Sequence, residues 1–190
     1  METKPIPVTD ATKKKRIGIM RRFGSDKRGS VAIEFVMLIM PFSMLVFAVI
    51  ETCISFAGQQ VMSNITDDLA RSLRTGQLKQ VAATPSAVRQ IVCDRISILV
   101  SSGCPGLELD LKEYASFSDV PTTIPYTLAG DINTSGFAIT PGGPLTINSL
   151  RVFYRWPIIT DFMRSKLSTL PDGKTLLYST MTWKNEGFSS

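Results

Sequence analysis

Residues 26–51 read DKRGSVAIEFVMLIMPFSMLVFAVIE: a basic approach, a glycine at 29, a carboxylate at 34, then an apolar run that only Pro41 and Ser43 interrupt before Glu51. The twenty residues from Val31 to Ile50 rise about 30 Å as a helix, which is the hydrocarbon thickness of a bilayer. The stretch therefore predicts a membrane-spanning helix over residues 30–53, with Val31, Phe35, Pro41 and Ile50 along it. A buried helix of a soluble domain is the competing reading. Such a helix is seldom apolar on every side, and it would leave the charge in front of it unexplained. Pro41 removes a backbone hydrogen bond and favours a kink.

The charge is unevenly placed. Of the formal +5, residues 1–29 hold nine Lys or Arg against three acids, +6, while the remainder holds twelve against thirteen, −1. The basic excess is thus confined to a leader with a Lys-Lys-Lys-Arg run, two prolines and no apolar period, which reads as unstructured. The body has no electrostatic footprint for nucleic acid. A basic flank ahead of a span marks the cytoplasmic side, so residues beyond the helix are expected outside, in a bacterium the periplasm or cell surface. Cys93 and Cys104, eleven positions apart in that exported part, suit a disulfide in an oxidising compartment. Closing so short a loop contributes about 2–4 kcal/mol in the chain-entropy model. Two unpaired buried thiols are the alternative. Cys53, at the outer edge of the span, reads as a small packing residue.

Beyond Glu51, Ile54, Ala57, Val61, Ile65, Leu69 and Leu73 recur every three or four positions, with Gln59, Asn64, Asp67, Asp68, Arg71 and Arg74 between them. This is amphipathic helical spacing. The helix is therefore expected to continue over residues 54–76 and to end at Gly76, in the position a helix C′ residue takes. Thr84 as N-cap and Pro85 in the first turn open a second helix reaching toward Val100. The short runs Leu107–Leu111, Leu150–Trp156 and Leu176–Trp183, separated by turn signals such as TPGGP and LPDG, read as strands of a small antiparallel sheet. The fold class is α+β: a long N-terminal helix, half transmembrane and half amphipathic, and a second helix packed on the sheet. Residues 77–190 make the small domain.

Chemistry finds little purchase. The chain has no histidine, which removes His-type zinc sites and any Ser-His-Asp or Cys-His arrangement. In LELDL, Glu108 and Asp110 fall on the expected solvent side of an alternating strand and do not form an acid–base pair with Glu113. TPGGP lacks the following helix that phosphate binding would need. No enzyme, metal or cofactor is expected.

Glu34 is the informative residue. It lies four positions after Ser30, one too many for a capping box, and a carboxylate at membrane depth is costly and marks a partner. If the bond after Gly29 were cut, Ser30 would carry an α-ammonium one helical turn from Glu34. A basic leader ending in Gly29, then Ser30, then Glu34 and Phe35 before an apolar helix resembles the type IV prepilin signal. The Glu-Phe pair is similar to that of the Flp (Tad, type IVc) branch. Over residues 21–77, with FAGQQ and DDLARSLRTGQ, the chain resembles the TadE-like pseudopilins of tight-adherence pilus systems, and more weakly so over VFYRWPI and the terminal NEGF.

The resemblance implies a type IV pilin-like fold and a minor pilin or pseudopilin of an adhesion pilus, acting without catalysis of its own. Its partners would be a prepilin peptidase that cleaves after Gly29, other pilins met through the N-terminal helix, an inner-membrane assembly platform and the lipid bilayer. The expected location is the bacterial inner membrane, single-pass, with passage into the extracellular pilus. The alternatives are a secreted protein, cut after Ala57 by signal peptidase, and a signal-anchored envelope protein unrelated to pili.

Overall fold

The computed structural model describes residues 28–79 and 82–188; the leader expected over 1–29 lies outside them as far as residue 27. The chain divides into two units between Val46 and Phe47. Helix α1, Arg28–Arg74, is unbroken through Pro41. In the first unit every side chain from Val31 to Leu45 is exposed except Ser43, which is half-buried. This helix is long and apolar enough to cross a membrane.

The second unit is an α+β domain. The later part of α1 lies on one face of a sheet beside α2, Pro85–Ile96. Met62, Ile65, Leu69 and Leu73 from α1, and Val88, Val92 and Ile96 from α2, are buried with Leu107, Leu111, Leu150, Val152, Tyr154, Leu177 and Trp183. Each such side chain, fully buried, contributes roughly 1.5–3 kcal/mol against solvent exposure. The apolar period holds from Ile65 onward, but Ile54 and Ala57 are exposed; the buried face runs from Glu51 through Gly58 and Met62. The N-cap of α2 is Thr84, whose Oγ1 accepts from Ala87 N at 3.3 Å. Its C-terminus falls at Ile96, four residues short of expectation, where Ser97 N donates to Cys93 O.

The strands are β1 Leu107–Tyr114, β2 Ile139–Thr140, β3 Ile147–Trp156 and β4 Thr175–Lys184, in the order β2-β1-β3-β4. β1 and β3 pair antiparallel with Leu111 opposite Leu150, and β3 and β4 with Leu150 opposite Met181. The sheet is mixed, not wholly antiparallel as expected: β2 runs parallel to β1, with Leu111 paired to Ile139. The cause is the long return through residues 116–138, which brings the chain back along the β1 edge in the same direction. Two residues of β2 then cover part of an otherwise open edge.

The same return covers the second face of the sheet. Phe137 stacks on Phe153 at 5.2 Å, and Phe153 on Tyr178 at 5.1 Å. This overturns the solvent placement of Asp110. Its side chain is buried, with Arg151 Nη2 at 2.5 Å and Nε at 3.1 Å, and Ala138 N donating to it at 3.0 Å. Arg151 lies over the Phe137 and Phe153 rings. The alternation of LELDL was real, but the second face is closed by a loop that sequence periodicity does not reveal.

A third helix that the sequence reading missed, α3 Asp161–Leu167, fills the crossing between β3 and β4. The LPDG turn forms as expected, with Gly173 at φ +75° and its N donating to Leu170 O at 3.1 Å.

Candidate functional site

In the first unit the residues proposed for processing occupy the start of one helix. Gly29 and Ser30 have helical backbone, and Glu34 and Phe35 follow within the next two turns with exposed side chains. Val31 and Pro41 are likewise exposed, and Ile50, at the start of the second unit, is too. Such an all-round apolar surface has no partner within a soluble domain and suits lipid or other helices.

In the second unit the residues of α1 are specialised for seating on the sheet, position by position. Gly58 is buried against Trp156, whose Cζ3 would lie 2.7 Å from a Cβ at that position. Only a residue without a side chain lets the indole lie on the helix backbone. Gln59 follows with a two-point bond to β4: its Nε2 donates to Tyr178 O at 2.7 Å, and Tyr178 N donates to its Oε1 at 3.2 Å. The side-chain amide thus completes an edge-strand position that would otherwise need another strand. At the far end of the helix Gly76 adopts φ +72° and the Phe188 ring packs where a Cβ would stand. Glu186 N donates to Arg74 O at 3.0 Å, and Arg74 pairs with Glu186 at 3.5 Å. The terminal NEGF therefore closes over the end of α1.

Glu51 was read only as a charge after the apolar run. The structure buries it. Its carboxylate accepts from Ile159 N at 2.5 Å, from Thr160 N at 3.3 Å and from the Thr160 hydroxyl. Thr160 is the N-cap of α3, so the Glu51 carboxylate takes up the two amides that lead into that helix. The Thr-Asp pair after WPII carried a helix-start signal, and Glu51 could have been sought as its acceptor. Beside it lies a groove of about 250 Å³ whose walls include Phe56, Gln59, Trp156, Ile158 and Leu177.

Cys93 and Cys104 form a disulfide with Cα atoms 5.7 Å apart. It joins α2 to the loop entering β1, and Arg89 spans the same junction by donating to Leu107 O at 2.6 Å and Cys104 O at 3.2 Å. Cys53 is a free, exposed thiol, not the packing residue expected. Titratable groups are shifted by the fold around them. The hydrogen bond from Arg155 keeps the Asp131 carboxyl below its ordinary pKa, and burial pushes the Tyr154 phenol up.

Residues 29–71 match the family model for TadE-like proteins. The match starts at the proposed processing glycine, takes in Glu34, Phe35, Glu51, Gly58 and Gln59, and supports involvement with the Tad pilus system. No curated protein and no solved structure matches the chain significantly.

Proposed function

We propose that the chain is a minor pilin of a Tad pilus, made as a precursor with its basic leader in the cytoplasm and cleaved after Gly29 by a prepilin peptidase. Mature residues 30–190 then remain single-pass in the inner membrane until they join or prime the pilus. The observation that carries this reading is the TadE-like match beginning at residue 29, on a helix able to span a bilayer. The disulfide supports an oxidising compartment for the domain.

Cleavage gives Ser30 an α-ammonium within a helical turn of Glu34, so the acid can pair with that cation on its own chain or on a neighbour. In hydrocarbon such a pair is favoured because the alternative is a desolvated charge. The apolar half of α1 exchanges lipid for neighbouring pilin helices during assembly, and no catalytic step falls to this chain. Release by signal peptidase before Gly58 fits poorly: it would strip Glu51 from the amides of Ile159 and Thr160 and leave a buried glycine as the new terminus.

The test is piliation in a strain lacking the gene. Loss of Tad pili, restored by the natural chain but not by Glu34→Ala although that variant is still cleaved, is the expected result. Normal pili without the gene would refute the assignment.

A further inference from the structure

The lipid-facing surface of this chain does not end where its hydropathy ends. From Phe35 to Ala57 every exposed side chain of α1 is apolar or, at Cys53, a thiol, and the first exposed polar side chain beyond is Gln60. The two groups that should have marked the water boundary are withdrawn. The Thr52 hydroxyl donates to Ala48 O at 2.8 Å, which satisfies it within the helix. Glu51 is buried under the β3–α3 loop, its carboxylate held by the Ile159 and Thr160 amides and the Thr160 hydroxyl.

Those bonds fix the height of the loop. Ile159 N lies 2.5 Å from the Glu51 carboxylate, so the loop stands level with the last residues of the apolar run. There Ile159 is 74% exposed, with Phe56 of α1 71% exposed. Ile54 and Phe56 lie about 6 and 9 Å past Ile50 along the helix, and the headgroup region adds roughly 5–8 Å to each face of the hydrocarbon. An isoleucine directed away from the protein core at that level meets the interfacial layer, where apolar side chains bury among headgroups and upper acyl chains. The last turn of α3 carries Arg164, paired with Asp161 at 3.0 Å, and Lys166, a cation that suits an anionic headgroup layer.

We propose that the second unit is seated on the bilayer surface, with the β3–α3 loop inserted into the interfacial layer through Ile159 and flanked by Ile54 and Phe56 of α1. The occupant of this apolar edge is lipid. The buried Glu51 ties the loop to the helix and takes its own carboxylate out of water at this level; Asp161, just beyond the loop, is exposed and paired with Arg164 at 3.0 Å, an ion pair that suits the headgroup layer and not the hydrocarbon. The proposal rests on the membrane reading of α1 and adds a second, independent membrane contact outside the helix.

The test uses the full chain in vesicles of phosphatidylcholine and phosphatidylglycerol, with Cys53→Ser as background and one spin label at a time at Ile159→Cys, Val49→Cys or Asp67→Cys. Accessibility to oxygen, which concentrates in lipid, is compared with that to a water-soluble nickel chelate. Val49 and Ile159 are expected to favour oxygen, Ile159 less strongly, while Asp67, exposed on α1 and about 25 Å past Ile50 along the helix, favours nickel. A lipid-exposed Val49 with Ile159 reading like Asp67 would overturn the proposal and leave the span intact. A water-exposed Val49 would instead overturn the membrane reading itself. Shielding of Ile159 from both reagents would mean a protein contact and would also overturn lipid as the occupant.

Discussion

Replacing Glu51 by alanine tests how the domain is tied to its helix. The variant deprives three donors of their acceptor: two backbone amides, at 2.5 and 3.3 Å, and the Thr160 hydroxyl. Hydrogen bonds to a charged group contribute about 1.5–3 kcal/mol each. The full sum does not apply, because Ile159 is largely exposed and its amide can rehydrate once the carboxylate is gone. A net loss of about 2–3 kcal/mol is expected, local to the β3–α3 crossing, and 1.4 kcal/mol corresponds to tenfold. Amide exchange followed by mass spectrometry on the full chain in lipid nanodiscs should then show peptides covering 157–167 exchanging about 30- to 150-fold faster. The core strand β3 should be unchanged. Asp68→Ala, which removes only the exposed pair with Arg95, is the control and should cost less than about 1 kcal/mol. Protection of 157–167 within twofold of the natural chain would refute the anchoring role.

Gly58→Val places a side chain where Trp156 stands 2.7 Å from the Cβ position; overpacking of about 1–3 kcal/mol should lower the thermal midpoint and shift the indole fluorescence. Arg151→Met leaves the buried Asp110 carboxylate with only the half-buried Lys112 at 3.3 Å as a cation and should destabilise by up to about 3 kcal/mol, with Asp110→Asn added to the same chain recovering part of the loss in denaturant titrations. Reduction of Cys93–Cys104, or the double serine variant, should cost about 2–4 kcal/mol, read as a lower urea midpoint. Asp131→Asn probes pH. Its carboxyl is held below the ordinary value by the Arg155 hydrogen bond, so its stabilisation is complete above the unfolded carboxylate range and fades as pH falls through the folded value. With the Asp131 side chain 40% exposed, the deficit of the variant should be under about 1 kcal/mol at pH 7 after solvent screening and should shrink progressively as pH falls below the ordinary carboxylate range.

The sequence disclosed what local pattern encodes. The apolar run, the amphipathic period from Ile65 to Leu73, the Thr84-Pro85 start and the LPDG turn each depend on neighbours within a few positions, and each forms. What depends on distant partners was hidden. Asp110 alternates as a solvent-face residue and is buried only because residues 116–138 fold back over the sheet. The parallel strand β2 has two residues and no periodic signature. The burial of Glu51 has no local signature, because its donors lie more than a hundred residues away. FAGQQ was visible as a motif, whereas the reasons for it, an indole over Gly58 and an edge strand beside Gln59, needed coordinates.

The central claim is processing after Gly29, and it is tested most directly by sequencing the amino terminus of the protein from cells with and without a prepilin peptidase. A start at Ser30 that appears only with the peptidase is the expected result. A chain that stays uncut in peptidase-bearing cells, or one that begins at Gly58, would contradict it.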